Sequence, residues 1–472
     1  MVVEQHRFTH HMSDEDALMW NIEKDPILRS TIVAVGTFDS VPDWARLRDR
    51  IELATRVIPR MRQRVCSPPL RLGPPRWTVE PSFDLDFHVR RVRLPEPGDR
   101  AALLRALEPI AASSFDRARP LWEFTLFEGL RRDDGGEAAA LAMKVHHSVT
   151  DGVGGMTLLS ELVDFAPDAG PAVGDDAAPE PPAGESPGAV DLVRDSLAHT
   201  RRRLLGIARR APRTVAGAAI GAVRDPVAAA SNVLDTTRSV AKLLAPATSP
   251  MSPVMRERGL GRRLAMFEVP LDDVRRAGKA AEASVNDVFV SAVVGGLQRY
   301  HAHHGYGVDA LRMTMPISLR TAADAPGGNR FVPARFAVPA DVTDPAERIR
   351  AIGVIVREWR GEPALALTGT LAGVLNRLPT AMTTALFGSM LKCCDFITTN
   401  VPGTPVPVYA GGARVDGLYA FAPPSGAALN VALISHVDTC CIGIVIDRTA
   451  VPDDELMVRC IRAGFDEVLA LG

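Results

Sequence analysis

Between Ala166 and Val190 the chain reads APDAGPAVGDDAAPEPPAGESPGAV, with six prolines, five acidic residues and hardly any large apolar side chain. A stretch of this kind buries too little surface to offset the entropy of ordering it, and it reads as a flexible linker. It divides the chain in two, which suits 472 residues, because a single core stops growing at roughly 250 to 300. A first unit is expected at 1–165, an intervening segment at 166–258 and a second unit at 259–472.

Directly after the proline-rich stretch, Asp191 to Gly217 carries seven arginines against two aspartates, with leucines at helical spacing. This predicts a basic amphipathic helix. One reading docks it on an anionic membrane or lipid droplet; the other packs it between the two units with its arginines in solvent. Elsewhere 54 basic residues balance 56 acidic ones, so nothing draws the chain toward nucleic acid. The six cysteines lack C-x2-C spacing and read as buried thiols of a reducing compartment. No secretory signal and no run of ~18 apolar residues is present, which predicts a cytoplasmic protein with lipid contact at most peripheral.

Both units mix the two periodicities. PLWEFTLFEGL (Pro120 to Leu130) alternates as a strand, and Ala139 to Val145 is a second strand that runs into a histidine pair. Met156 to Phe165 and Ser284 to Tyr300 have helical spacing. LRMTMPISL, NRFVPARFAV and FITTN read as strands, and Leu429 to Arg448 as a hairpin turning near Val437 to Thr439. Ser13 and Asp16 are spaced to cap a helix that includes Trp20.

The histidine pair opens HHSVTDG, His146 to Gly152. A histidine that ends a strand and enters a glycine-containing loop is rooted by the sheet and exposed at its tip, as a general base must be. Its imidazole titrates near neutrality and can take and return a proton within one turnover. Asp151 can orient an imidazole or pair with an arginine, and Gly152 leaves the backbone free to turn. Neighbouring histidines on a strand point to opposite faces, so a shared metal ion is not expected. No G-x-S-x-G elbow or cysteine nucleophile is evident. The pairs His10-His11 and His303-His304 lack the following Asp-Gly and read as a terminus and the exposed end of a helix.

HHSVTDG followed by GGMTLLSELVD resembles the H-H-x-x-x-D-G motif of coenzyme A-dependent acyltransferases and peptide-synthetase condensation domains. More narrowly, the chain resembles the bacterial wax ester synthase/diacylglycerol acyltransferase family over nearly its whole length. The pieces are MSDEDALMW, Pro120 to Trp122, Asn286-Asp287, MPISLR ending at Arg320, GNRF from Gly328, NVPG at Asn400 to Gly403, and LNVALISHVD.

The resemblance implies an α+β fold of two chloramphenicol-acetyltransferase-like lobes, with a substrate tunnel and the active site at their interface. It implies transfer from acyl-CoA to diacylglycerol or a long-chain alcohol, with no resident cofactor and no covalent intermediate. His147 is then the base beside His146, and Asp151 a structural ion-pair member with Arg320 as partner. Trp122 reads as core or as a substrate contact, Asn286 and Asp287 as helix caps or tunnel lining, and Asn400 as lining on a turn that ends at Gly403. Pro120 and Gly403 are structural candidates. The D-F-G-W-G motif of the plant-type branch is absent, and Cys440-Cys441 receive no role. Competing readings are a condensation-type transferase served by a carrier protein and a non-catalytic droplet-surface protein.

Overall fold

A computed structural model describes residues 10–69, 73–132, 134–149, 152–168, 179–203, 205, 249–318, 331–362, 372–373, 376 and 379–472. Asp151 and Arg320 lie outside these, as does the arginine-rich segment beyond 205. Two six-stranded sheets organise the rest.

The first sheet contains β1 (Thr31–Phe38), β4 (Val89–Arg93), β5 (Trp122–Arg131) and β6 (Glu137–His146). It also takes β11 (Tyr409–Ala410) and β12 (Ala413–Phe421), in the order β11-β12-β1-β6-β5-β4. The second sheet holds β7 (Arg262–Pro270), β8 (Ala310–Ser318), β9 (Phe331–Pro339), β10 (Phe396–Pro402), β13 (Leu429–His436) and β14 (Thr439–Asp447). Its order is β7-β14-β13-β10-β8-β9. A small hairpin pairs β2 (Gln63–Cys66) with β3 (Arg76–Val79). The strands and the final hairpin expected from period-two alternation all form, with Val437 at the hairpin turn in the left-handed region.

The linear division of the chain is not the division of the sheets. β12 comes from the C-terminal half but pairs antiparallel with β1, Val33 opposite Phe421. Its alternating apolar residues find a matching edge there, and Val415 and Leu418 join the core of the first sheet. Where β12 passes β14, a Cβ on Gly443 would sit 2.2 Å from the Ala420 carbonyl oxygen, so only glycine permits the approach.

β6 is buried along almost its whole length because both faces are covered. Leu141, Met143 and Val145 face one core, while Ala138, Ala140 and Ala142 face a second that also takes Leu264, Met266 and Cys441 of the other sheet. Cys440 and Cys441 therefore divide between two cores; burial pushes their thiols up to about 11 and about 12, and they are packing residues.

The helices that bear on the site are α1 (Asp14–Ile22), α2 (Trp44–Val57), α3 (Arg100–Ala112), α4 (Gly152–Leu162), α5 (189–203), α6 (Leu271–Ala280) and α7 (Val285–His303). Ser13 caps α1 as its spacing predicts, accepting from the Asp16 amide at 3.0 Å.

Two expectations change. Residues 179–188 run extended along the first unit: the Glu185 amide donates to the Val79 carbonyl at 2.8 Å, and its carboxylate takes Arg76 at 2.9 Å. The Glu185 backbone and carboxylate tie this polar stretch to β3, and Gly184 lies close against Pro81. His11 is likewise no loose terminus, since its Nε2 lies 2.9 Å from Asp195 and its ring 4.1 Å from that of His199 on α5. His304 does end α7, at its C-cap. Among the described residues no single helix is long and apolar enough to cross a bilayer.

Candidate active site

The motif begins where β6 leaves the sheet. Thr31 stands opposite His146 in the β1–β6 ladder, and one step further the His147 amide donates to the Ser30 carbonyl at 2.8 Å. The main chain of both histidines is thus tied into the sheet, as the strand-to-loop reading requires.

His146 is 1% exposed. The Ser148 amide donates to its Nδ1 at 3.0 Å, with the Ser148 hydroxyl 2.7 Å from the same nitrogen. An Nδ1 that accepts an N–H bond leaves the ring proton on Nε2, and Nε2 sits 3.0 Å from Glu23 Oε1. The rings of Trp20 and Phe115 approach edge-on at 5.6 and 6.0 Å. His146 is therefore buried, with Nδ1 bonded to Ser148 and Nε2 within ion-pair reach of Glu23.

Glu23 does more than hold that ring. Its Oε1 also accepts the Ser30 amide at 2.6 Å, and Arg117 approaches Oε2 at 3.5 Å while lying 4.1 Å over the Trp20 ring. Burial works to raise the Glu23 carboxyl, but His146, the Ser30 amide and Arg117 outweigh it and hold it below the usual carboxylate range. One carboxylate thus steadies His146 through its side chain and His147 through Ser30. No sequence signal pointed to Glu23, because it lies far from the motif in the chain.

His147 is half-buried, with its Nδ1 inside. Two residues on, Val149 is buried in a core that takes Val401, Ala432 and Ile434 from the second sheet. α4 starts at Gly152 and carries Leu159 and Leu162 into the same core. His147 consequently stands beside the seam between the sheets, in a turn closed by the Val149 amide donating to the His146 carbonyl at 2.9 Å.

Other candidates fall in separate places. Trp122 is core and not a substrate contact: it is 1% exposed, donates from Nε1 to the Met61 carbonyl at 2.7 Å, and stacks on His88 at 4.5 Å. A strand tryptophan with its one donor satisfied inside the protein has nothing left to offer a ligand. Pro120 is buried just ahead of it, and the following residue, Leu121, accepts the His146 amide at 3.0 Å. Asp287 is a cap and not a lining residue, because its carboxylate accepts from the Ser284 amide at 3.0 Å in a complete capping box at the start of α7.

Asn286 and Asn400 are brought together, Asn400 Nδ2 lying 3.5 Å from Asn286 Oδ1, with Asn286 half-buried and Asn400 exposed. At Gly403 an added Cβ would lie 2.1 Å from the Ser435 carbonyl oxygen, so this glycine lets β10 close on β13. Among the described residues no group of three or more His, Cys, Asp or Glu is placed to hold a metal ion.

The model of the wax ester synthase/diacylglycerol acyltransferase catalytic domain matches residues 12–289, and that of the WS/DGAT C-terminal domain matches 327–468. The chain belongs to the wax ester synthase/diacylglycerol acyltransferase family. It is an acyltransferase, and its histidine motif lies inside the matched catalytic region. A Mycobacterium tuberculosis protein, provisionally named a diacylglycerol O-acyltransferase, is 38% identical over 99% of this chain and 93% of its own length.

Among solved structures, the wax ester synthase/diacylglycerol acyltransferase of Marinobacter aquaeolei VT8 superposes with a TM-score of 0.63 at 24% identity, covering 97% of this chain and 98% of that one. The first condensation domain of the calcium-dependent antibiotic synthetase gives a TM-score of 0.60 at 15% identity over 98% and 97%. These likenesses establish the two-lobed fold, and the family resemblance read from the motifs is borne out.

Proposed function

We propose that this acyltransferase moves a long-chain acyl group from acyl-CoA to the hydroxyl of diacylglycerol, of a fatty alcohol, or of both, with His147 as general base. The observation that carries this is the division of labour in the pair. His146 is walled in by Glu23, Ser148, Trp20 and Phe115, whereas His147 is half-buried at the seam with its main chain pinned to Ser30.

In this reading Nδ1 of His147 faces inward and Nε2 takes the acceptor's proton as the hydroxyl oxygen attacks the thioester carbonyl. The tetrahedral intermediate collapses, the carbon–sulfur bond breaks, and the imidazolium returns its proton to the departing thiolate. Proton balance closes within one site, so no acyl-enzyme and no resident cofactor are needed. General-base help of this kind contributes about 10² to 10⁴ in rate, and holding the two substrates together in a water-poor seam supplies much of the rest. By family resemblance Asp151 and Arg320 are assigned a structural ion pair. The donor and acceptor assignments are supported by the family to which the chain belongs and by the name of its mycobacterial relative. Because the acceptors are lipids, we place the enzyme inside the cell in peripheral contact with the membrane or with lipid droplets.

The test is transfer of labelled palmitate from palmitoyl-CoA to diolein and to hexadecanol. The native chain should acylate at least one acceptor, and His147→Ala should lower kcat by at least about a hundredfold. Retained turnover in the variant removes the base assignment. A native chain inactive with both acceptors favours a carrier-bound donor or a droplet coat.

A further inference from the structure

Beyond the motif, the N-terminal end of α1 opens onto a cavity of about 710 Å³. One wall is built from His10, His11 and Arg76, and the other from His199, Arg202 and Arg203 at the end of α5. Two carboxylates, Asp14 and Asp195, face these six basic side chains, and both are engaged. Asp195 is shared by His11 at 2.9 Å and Arg76 at 3.7 Å, and Asp14 is taken by Arg203.

Arg202 is exposed, its Nε donating to the Ala198 carbonyl at 3.3 Å. Among the described residues no carboxylate stands within ion-pair distance of it. Three arginines meet Asp14 and Asp195, with Glu185 also holding Arg76 at 2.9 Å, so the cleft becomes net positive when an imidazole is protonated, and its arginine forks suit phosphate oxygens. Met12 and Pro74 add a small apolar wall on which a purine can lie.

The cavity also lies at a useful distance. Asp14 lines it, and six residues along α1, about 9 Å at the helical rise, Trp20 meets His146 at 5.6 Å. α1 thus runs from the cationic cleft at its N-terminal end to the wall of the histidine pair at Trp20. We propose that this cleft binds the phosphate-bearing adenosine end of the acyl-CoA donor; the assignment rests on the acyl-CoA reading above.

The electrostatics agree. His11 is held below the ordinary histidine range by burial and by His199, against the pull of Asp195. His199 is held low by burial and by Arg203 and Arg202. A bound phosphate reverses those repulsions and favours the protonated rings, so affinity rises as pH falls.

Direct titration with adenosine 3′,5′-bisphosphate tests the cleft without requiring turnover. The native chain should bind it more tightly at pH 6 than at pH 8. Arg202→Ala should weaken binding about tenfold and Arg202→Glu by more. His199→Gln should flatten the pH dependence. In kinetics, the preference for palmitoyl-CoA over S-palmitoyl-pantetheine, measured as the ratio of kcat/KM values, should fall about tenfold in Arg202→Ala.

Unchanged bisphosphate affinity in Arg202→Glu would overturn the assignment. So would an equal loss with both donors, or loss of binding to phosphatidylglycerol vesicles with nucleotide binding intact, which would mark a lipid headgroup site. Acyl transfer that ignores these substitutions removes the cleft alone, whereas bisphosphate binding by a chain that transfers nothing removes the donor reading alone.

Discussion

Replacing Glu23 probes the support beneath the histidine pair. Its Oε1 accepts from the Ser30 amide at 2.6 Å and lies 3.0 Å from His146 Nε2. Glu23→Ala leaves two donors without their acceptor in a region where Ser30 is 4% and His146 1% exposed. Each unsatisfied buried donor costs about 1 to 3 kcal/mol, so a loss of roughly 2 to 6 kcal/mol is expected, a large part of a typical total of about 5 to 15 kcal/mol. Glu23→Gln keeps an acceptor oxygen and loses only the charge facing Arg117, and should cost about 1 to 2 kcal/mol.

The assay is urea unfolding followed by tryptophan fluorescence, run beside acyl transfer. Because Ser30 also holds the His147 amide, the alanine variant should lose kcat more than the glutamine variant does. The pH dependence follows in sign: a carboxyl held below its usual value of 4.5 contributes stability above that pH, and the contribution disappears as pH falls through its folded value. An alanine variant within about 1 kcal/mol of native, or a glutamine variant as damaged as alanine, would refute the two-donor argument.

Two further outcomes are expected. His88, pushed down to about 4 from 6.5 mainly by burial, stays neutral in the folded chain, so stability should be full above pH 6.5 and fall by roughly 3 kcal/mol toward pH 4; His88→Phe should flatten that part of the profile in pH-dependent unfolding. Gly403→Ala, with its Cβ 2.1 Å from the Ser435 carbonyl oxygen, should cost about 1 to 3 kcal/mol through forced overpacking, read as a lowered Tm; an unchanged Tm would show that β10 can shift freely.

Much of the fold was legible because local rules govern it. Alternation in Pro120 to Leu130 and in the final hairpin sets which face of each strand is apolar, and Ser13 and Ser284 sit where caps must sit. HHSVTDG also announced itself, since its constituents are neighbours in the chain. Other residues were ambiguous for a physical reason. Trp122 on a strand and Asp287 at a helix start suit either packing or a ligand, and only the Met61 carbonyl and the Ser284 amide decide for packing.

What the sequence by itself determined is the alternation that sets its main strands, the family, and a histidine pair at the end of a strand as the candidate site. Only the tertiary structure decided which histidine is held and which is presented, because Glu23, Ser30 and Val401 come to the motif through sheet pairing and burial. It also decided that β12 crosses to the first sheet and that α5 meets α1 to enclose a cationic cavity. Sequence periodicity specifies which face of an element is buried, but not which distant element covers it; that choice is made by the packing of the whole chain.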